Sequence, residues 1–240
     1  MKVKFERDGD VAIVTLNRPE KRNALDNEMI LELNRALRDL GDAKVVVLRG
    51  AGKDFCAGHD LNEVLKDADY HFRLCRGLMH TFRSIPQVVI AQVQGHAVAG
   101  GCQLVAVSDL AVASENSRFG LVGIRLGLFC YTPTVFVCRC VNTKRAFELA
   151  FTGETIDAKT ALEWGLVNRV VPSERLEVET MSLAEKIARH DLSVIGRAKR
   201  FFYSQMSMGE FEALSLALRE IVLNANLSST REKILKFLNK

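Results

Sequence analysis

QVVIAQVQGHAVAGGCQLVAVSDLAVAS, residues 87–114, is the most apolar stretch of the chain, and its reading decides the fold. A membrane span needs about 20 consecutive apolar residues. Gln92, Gln94, His96, Gln103, Ser108 and Asp109 interrupt this one. What remains is a Val/Ile run over 87–95, a glycine turn HAVAGG, a helix-type CQLVAVSD and a short β-type LAVAS at 110–114. Val/Ile runs without polar alternation belong to strands covered on both faces, so the stretch predicts strand, turn, helix and strand in a layered α/β sheet.

The same order recurs upstream. VAIVTLNR (11–18) runs through PEKRNA into a helix predicted over 26–41, where Met29, Leu33, Leu37 and Leu40 share one face at helical spacing. KVVVLRG (44–50) runs through AGKDFCAGHD into helices predicted over 60–66 and 69–84. Past about residue 130 the pattern becomes helical, at 143–151, 157–164, 174–190, 192–204, 209–225 and 230–239; only VNRVV (167–171), closed by Pro172, still reads as a strand. The division expected is a core over 1–190 and a C-terminal helical region over 191–240. No Gly, Ser or Pro linker separates them, so the helices pack on their own core or on a neighbouring subunit.

Composition excludes several classes. With 240 residues, 48% hydrophobic, 26% charged and only 4 Pro, the chain can bury a sizeable core and is not a disordered tail. Its net charge is +4 without a run of five like charges, so a nucleic-acid partner is not expected, and neither is a membrane. The start MKVKFERDGD lacks the apolar core of a signal peptide, which leads to the expectation of a cytoplasmic protein whose Cys56, Cys75, Cys102, Cys130, Cys138 and Cys140 are free thiols. No CxxC occurs, and no metal site is expected.

Two glycine-rich turns invite a phosphate reading. GAGKD (50–54) has Val47 where a P-loop needs its first glycine and Asp54 where it needs Ser or Thr, which excludes one. Read as GxGxxG, the turn fails at Phe55. A turn after a buried strand presents unpaired NH groups, and a helix starting there adds its positive dipole end. Facing one another, FCAGHD (55–60) and AVAGGCQ (97–103) would place two NH donors around one oxygen, as in an oxyanion hole. Taken alone, Gly58, Gly100 and Gly101 fit equally well a purely structural role in tight strand-to-helix packing.

RPEKRNALD at 18–26, FCAGHDL at 55–61, GxxxxGGC at 95–102 with SDLAVAS at 108–114, SRFG at 117–120 and FTGETIDAKTALEWGLVNRVVP at 151–172 together resemble the crotonase superfamily, the enoyl-CoA hydratase/isomerase family. GHDL at 58–61, GCQL at 101–104 and GLFCYTP at 127–133 are most similar to its branch of enoyl-CoA hydratase domain-containing protein 3. The resemblance implies a ClpP-like α/β spiral of ββα units with a C-terminal helical trimerisation region, a homotrimer or dimer of trimers, and an acyl-CoA thioester substrate. It implies a lyase or isomerase of fatty acid metabolism, with no cofactor beyond the coenzyme A moiety of the substrate. The backbone NH groups of His59 and Gly100 would hold the thioester oxygen as it becomes an enolate. Lys21, Arg22, Ala24, Ala57, Asp60 and Leu61 would line the coenzyme A groove, with Phe237 and Lys240 at its nucleotide end.

The departures bear on the reaction. Hydratases of the family carry glutamates where this chain has Gln103 and Gly123; a glutamine amide holds a water but cannot accept its proton. Hydration is therefore expected to be slow, and Gln103→Glu with Gly123→Glu together is expected to raise it. Cys130 and Tyr131 are the nearest titratable candidates, since a thiol beside a helix start can have a lowered pKa. Their other reading, as fillers of an acyl pocket, is the preferred one. The His59 imidazole, His71 and His80 have no partner that the sequence names, His96 reads as a packed turn residue, and Asp109 as a residue that orients its strand. Two alternatives stand beside the hydratase/isomerase reading: a non-catalytic acyl-CoA binder or regulatory subunit, and another crotonase reaction such as hydrolysis, decarboxylation or carbon-carbon bond formation.

Overall fold

The structure is a computed structural model that describes residues 1–239. Lys240 lies outside the described residues. The chain opens with two antiparallel strands, β1 (Val3–Asp8) and β2 (Val11–Leu16), joined by Gly9 at φ 54°. Helix α1 (Asn27–Arg38) starts on the Asp26 side chain, which accepts the Met29 NH at 2.9 Å. Then come β3 (Val45–Gly50), the long α2 (Leu61–Ser84), β4 (Val88–Val93), β5 (His96–Val98), α3 (Gly100–Val107), β6 (Leu110–Ser114) and β7 (Arg118–Gly120). The remainder is α4 (Tyr131–Val137), α5 (Thr143–Thr152), β8 (Thr155–Asp157), α6 (Ala158–Trp164), β9 (Arg169–Val171), α7 (Leu176–Ala188), α8 (Leu192–Gln205), α9 (Glu210–Ala225) and α10 (Ser228–Leu238).

Six strands form one sheet in the order β1-β2-β3-β4-β6-β9, parallel except for the β1–β2 pair. The expectation of strands buried on both faces has a direct physical counterpart here. Along β2, Ala12, Val14 and Leu16 point into the main core with α1 and α2, while Val11 and Ile13 point into a second core closed by Leu176, Ala184 and Ala188 of α7. β3 divides in the same way, with Val46 and Leu48 on one side and Val45 and Val47 on the other. Alternation is present, but between two apolar layers, so it is invisible as polarity.

A second sheet, β5-β7-β8, corrects the sequence reading. HAVAGG was read wholly as a turn, and its first three residues pair with Arg118–Gly120; Thr155–Asp157 is a further strand in the stretch read as helical. These strands are three residues long, too short to show a period. The two helices predicted over 60–66 and 69–84 are both present within α2, separated by the non-helical Asp67 (φ −158°, ψ 89°). β1 and α4 were also unread. α3 buries all eight of its residues, which is why CQLVAV has no polar face, whereas α9 and α10 bury none.

Candidate active site

The two glycine turns run side by side. Cys56 donates its NH to the His96 carbonyl (3.0 Å), and the Cys56 carbonyl accepts from Val98 (3.1 Å). Leu25 bridges the turn from the other side, donating to the Gly58 carbonyl (2.7 Å) and accepting from Asp60 (2.9 Å). Gly101 sits so close that a side chain there would fall on the Cys56 carbonyl, and a Cβ on Gly58 (φ 97°) would stand 2.9 Å from Ala99 Cβ and 3.0 Å from Gly100 N. Tight packing is therefore real at Gly58 and Gly101. The same approach brings the His59 and Gly100 segments together, and neither of these two NH groups donates to an acceptor among the described residues. Ala99, between the turns, holds φ 48° and ψ −115°, a strained conformation of the sort that persists where surrounding structure over-determines it.

The first motif is the clamp that holds this arrangement. Arg22 and Asn23 both have left-handed φ (52° and 55°), which Asn tolerates. The Asn23 amide donates to the Ala51 (2.9 Å) and Asp54 (2.8 Å) carbonyls and accepts from the Arg18 NH (2.9 Å). Arg18 reaches both helix-capping carboxylates, Asp26 at 3.2 Å and Asp60 at 2.7 Å, and so ties the starts of α1 and α2 together. Arg22 ion-pairs with Asp54 (2.9 Å), which also bonds His96 Nδ1 (2.7 Å). Burial pushes the Asp54 carboxyl up, but the Arg22 and His96 bonds outweigh it and hold the group at about 2. His96 is thus a strand residue paired to an aspartate rather than a turn filler.

A cavity of about 220 Å³ opens beside the two NH groups, lined by His59, Phe72, Gly100, Phe129, Cys130 and Tyr131 among others. Among the described residues no Asp, Glu, Lys or Arg lines it. Ala57, Leu61 and Gly123 also reach it, whereas Gln103 does not. The Gln103 amide oxygen accepts from Thr132 (3.3 Å), and Gln103 lines a neighbouring cavity with Arg76 and Arg83. Lys21 is exposed and Ala24 half-buried on the clamp, while Phe237 lies in a separate groove between α8 and α10 with His190 and Lys233.

Two readings are overturned. Cys130 does stand at the start of α4, yet burial pushes its thiol up rather than down, and the Gly123 NH bond only partly opposes this. Gly123 cannot take a side chain, because a Cβ there would fall on the Leu128 carbonyl and 2.9 Å from Cys130 Sγ. Tyr131 is 74% exposed at the mouth, next to Phe129 (4.9 Å between centroids), which also meets Phe151 (5.0 Å) of the stacked pair Phe147–Phe151 (4.0 Å).

The histidines hold what the sequence did not reveal. His71 is fully buried, not a surface residue; its Nε2 lies 2.9 Å from His59 Nδ1 and its Nδ1 2.7 Å from Asn27 Oδ1. His80 is exposed. Burial pushes the His59 imidazole down to about 3, with His71 adding to the shift, and burial also lowers His71 against the pull of Glu63, Asp60 and Asp26. The spacing of His59 and His71 gives no warning of the contact, because the non-helical Asp67 lies between them and breaks the helical period. Asp109 accepts the Val89 NH (2.7 Å) and bonds Lys199 (2.8 Å) and the Tyr203 hydroxyl (2.7 Å), a structural junction.

Comparison with known proteins places this geometry. The family model described as enoyl-CoA hydratase/isomerase matches residues 6–240. Enoyl-CoA hydratase domain-containing protein 3, mitochondrial, is 40% identical in Xenopus laevis, covering 98% of this chain and 83% of the relative. Its Homo sapiens counterpart is 41% identical, covering 95% and 78%. Among solved structures, the human domain-containing protein 3 superposes with a TM-score of 0.96 at 38% identity, covering 100% of this chain and 98% of that one. An enoyl-CoA hydratase of Mycobacterium smegmatis gives 0.96 at 38% identity, with 100% and 96% covered. The relatives named mitochondrial do not match the expectation of a cytoplasmic protein. Among the described residues no helix is long and apolar enough to cross a membrane. The mixed α/β architecture superposes on crotonase-fold structures over its whole length, and the chain belongs to the enoyl-CoA hydratase/isomerase family, in its domain-containing protein 3 branch.

Proposed function

We propose that the cavity takes the acyl group of a coenzyme A thioester, and that the NH groups of His59 and Gly100 hold its carbonyl oxygen and stabilise the enolate. The single observation that carries this reading is that His59 and Gly100, whose NH groups have no acceptor among the described residues, line the same apolar cavity. Charge that develops only along the reaction path is what such donors stabilise, each typically worth about 10²–10³ in rate. Family membership supports a reaction of the hydratase/isomerase class, a lyase or isomerase acting on acyl-CoA, and the proposal includes no cofactor beyond the coenzyme A moiety of the substrate.

The groove for coenzyme A runs over Lys21, Ala24, Ala57 and Leu61. Arg22 is engaged by Asp54 and Asp60 by Arg18, so among the described groove residues Lys21 is the cation left to meet phosphate. Phe237 lies away from the cavity of its own chain, which fits a nucleotide end completed by a neighbouring subunit. α9 supports such an assembly, as a trimer or dimer of trimers: Phe211 is 81% and Leu218 66% exposed, and apolar faces of this kind demand a partner.

A second reading, a non-catalytic acyl-CoA binder or regulatory subunit, draws on the cavity wall without a carboxylate. Calorimetry with a saturated acyl-CoA at two salt concentrations, followed by turnover of an enoyl-CoA panel, separates the readings. The proposal expects binding that weakens with salt, because partly screened phosphates meet Lys21, and measurable turnover. Binding without turnover of any member favours the binder, product identity separates the other crotonase reactions, and no binding at any chain length removes the acyl-CoA assignment.

A further inference from the structure

Behind the cavity, four side chains form a hydrogen-bonded series in which each bond fixes the next. Asn27 Nδ2 donates to Glu63 Oε2 at 2.7 Å, which turns Asn27 Oδ1 toward His71 Nδ1 at 2.7 Å. An amide oxygen only accepts, so His71 carries its proton on Nδ1 and, when neutral, offers a lone pair at Nε2. That lone pair faces His59 Nδ1 at 2.9 Å, so His59 donates from Nδ1 and keeps its own lone pair on Nε2. His59 Nε2 is buried without a partner among the described residues and faces Gly100, where a Cβ would stand 3.0 Å from it. The atom therefore lies against Gly100, and both residues line the cavity.

We propose that His59 Nε2 takes the α-proton of an acyl thioester held on the His59 and Gly100 NH groups, and that His71 stores the resulting charge. The proposal rests on the acyl-CoA reading of the cavity. In the forward step the Cα–H bond breaks, its electron pair forms the enolate double bond, and the negative charge moves to the thioester oxygen. The proton goes to His59 Nε2 while the proton on His59 Nδ1 crosses to His71 Nε2. His59 ends neutral, with an N–H where its lone pair had been, and His71 ends as an imidazolium. The reverse steps return a proton to carbon, on the same or on another atom of the allyl system.

The relay answers an energetic difficulty. A charge left on His59 would be costly, since burial already drives that imidazole down to about 3. His71 is also disfavoured by burial, yet Glu63, Asp60 and Asp26 pull the other way. Arg18 engages Asp60 and Asp26, whereas Glu63 makes no ion pair among the described residues and bonds only the Asn27 amide. Glu63 is thus the carboxylate that balances His71. The chemistry assigned is proton transfer at the α-carbon, as in double-bond migration or α-hydrogen exchange. It needs one base and the two NH donors, and no carboxylate to activate water.

The test is deuterium incorporation at the α-carbon of butyryl-CoA in D₂O, followed by mass spectrometry, with calorimetric affinity measured on the same proteins. Wild type is expected to exchange. His59→Gln should lose about 100-fold or more of the rate and keep its affinity within about threefold. Glu63→Gln should slow exchange and shift its pH profile to lower pH, because His71 then holds a proton less well, an effect that a merely structural role would not produce. Wild type that binds butyryl-CoA without exchanging overturns the proton transfer and leaves the acyl-CoA reading standing. Exchange by His59→Gln at the wild-type rate overturns the assignment to His59. Failure of wild type to bind any acyl-CoA removes the reading beneath it.

Discussion

His59 offers its backbone NH to one side and a bare imidazole nitrogen to the other, and its burial leaves a signature in stability. The free imidazole titrates at 6.5 and the folded one at about 3. Between these values the unfolded chain binds a proton that the folded chain refuses, so stability is full above about 6.5 and falls as pH drops toward 3. Asp54, held at about 2 against 3.8, loses its contribution as pH falls through about 3.8 toward 2, at the acid end of that window. Thermal melts over about pH 7.5 to 4.5 should therefore show a decline that is shallower in His59→Gln; equal slopes would contradict the burial argument. At Gly123 the structure reverses an expectation. Gln103→Glu with Gly123→Glu should restore no hydration of crotonyl-CoA and should lower Tm, because the new Cβ meets the Leu128 carbonyl. A stable double variant with hydratase turnover would show that the 122–128 turn gives way. The close approach of the two turns was legible in their glycines, since Gly58 and Gly101 leave no room for a side chain. Asn27, Glu63 and His71 were not, because their alignment comes from Arg18 joining two helix starts.

At the scale of elements, long apolar runs told their story and three-residue strands did not. β2, β3, β4 and β6 were readable because a sheet between two apolar layers demands Val/Ile on both faces. β5, β7 and β8 are held by pairing with one another rather than by a pattern of their own. The joint between β5 and α3 carries the strain of the site at Ala99, whose φ of 48° a glycine would adopt freely. Ala99→Gly is expected to raise Tm by about 2–4 °C, the equivalent of about 1 kcal/mol in a domain of this size. A fall in Tm would mean that the Ala99 methyl packing outweighs the relieved backbone.

For the whole molecule, the open question is what covers α9 and α10. Apolar side chains such as Phe211, Leu218 and Phe237 are more than half exposed in the isolated chain, so light scattering at micromolar concentration should give three or six times the 26.7 kDa of one chain. A monomer there would remove the assembly and, with it, the completion of the nucleotide end by a neighbour. The central claim concerns one oxygen, and a crystal structure with a saturated acyl-CoA bound addresses it directly. The account predicts the thioester oxygen within about 2.7–3.1 Å of both the His59 and Gly100 nitrogens, with the acyl chain in the cavity between Phe72 and Phe129. A thioester oxygen bonded elsewhere, with those two NH groups left without an acceptor, would contradict it.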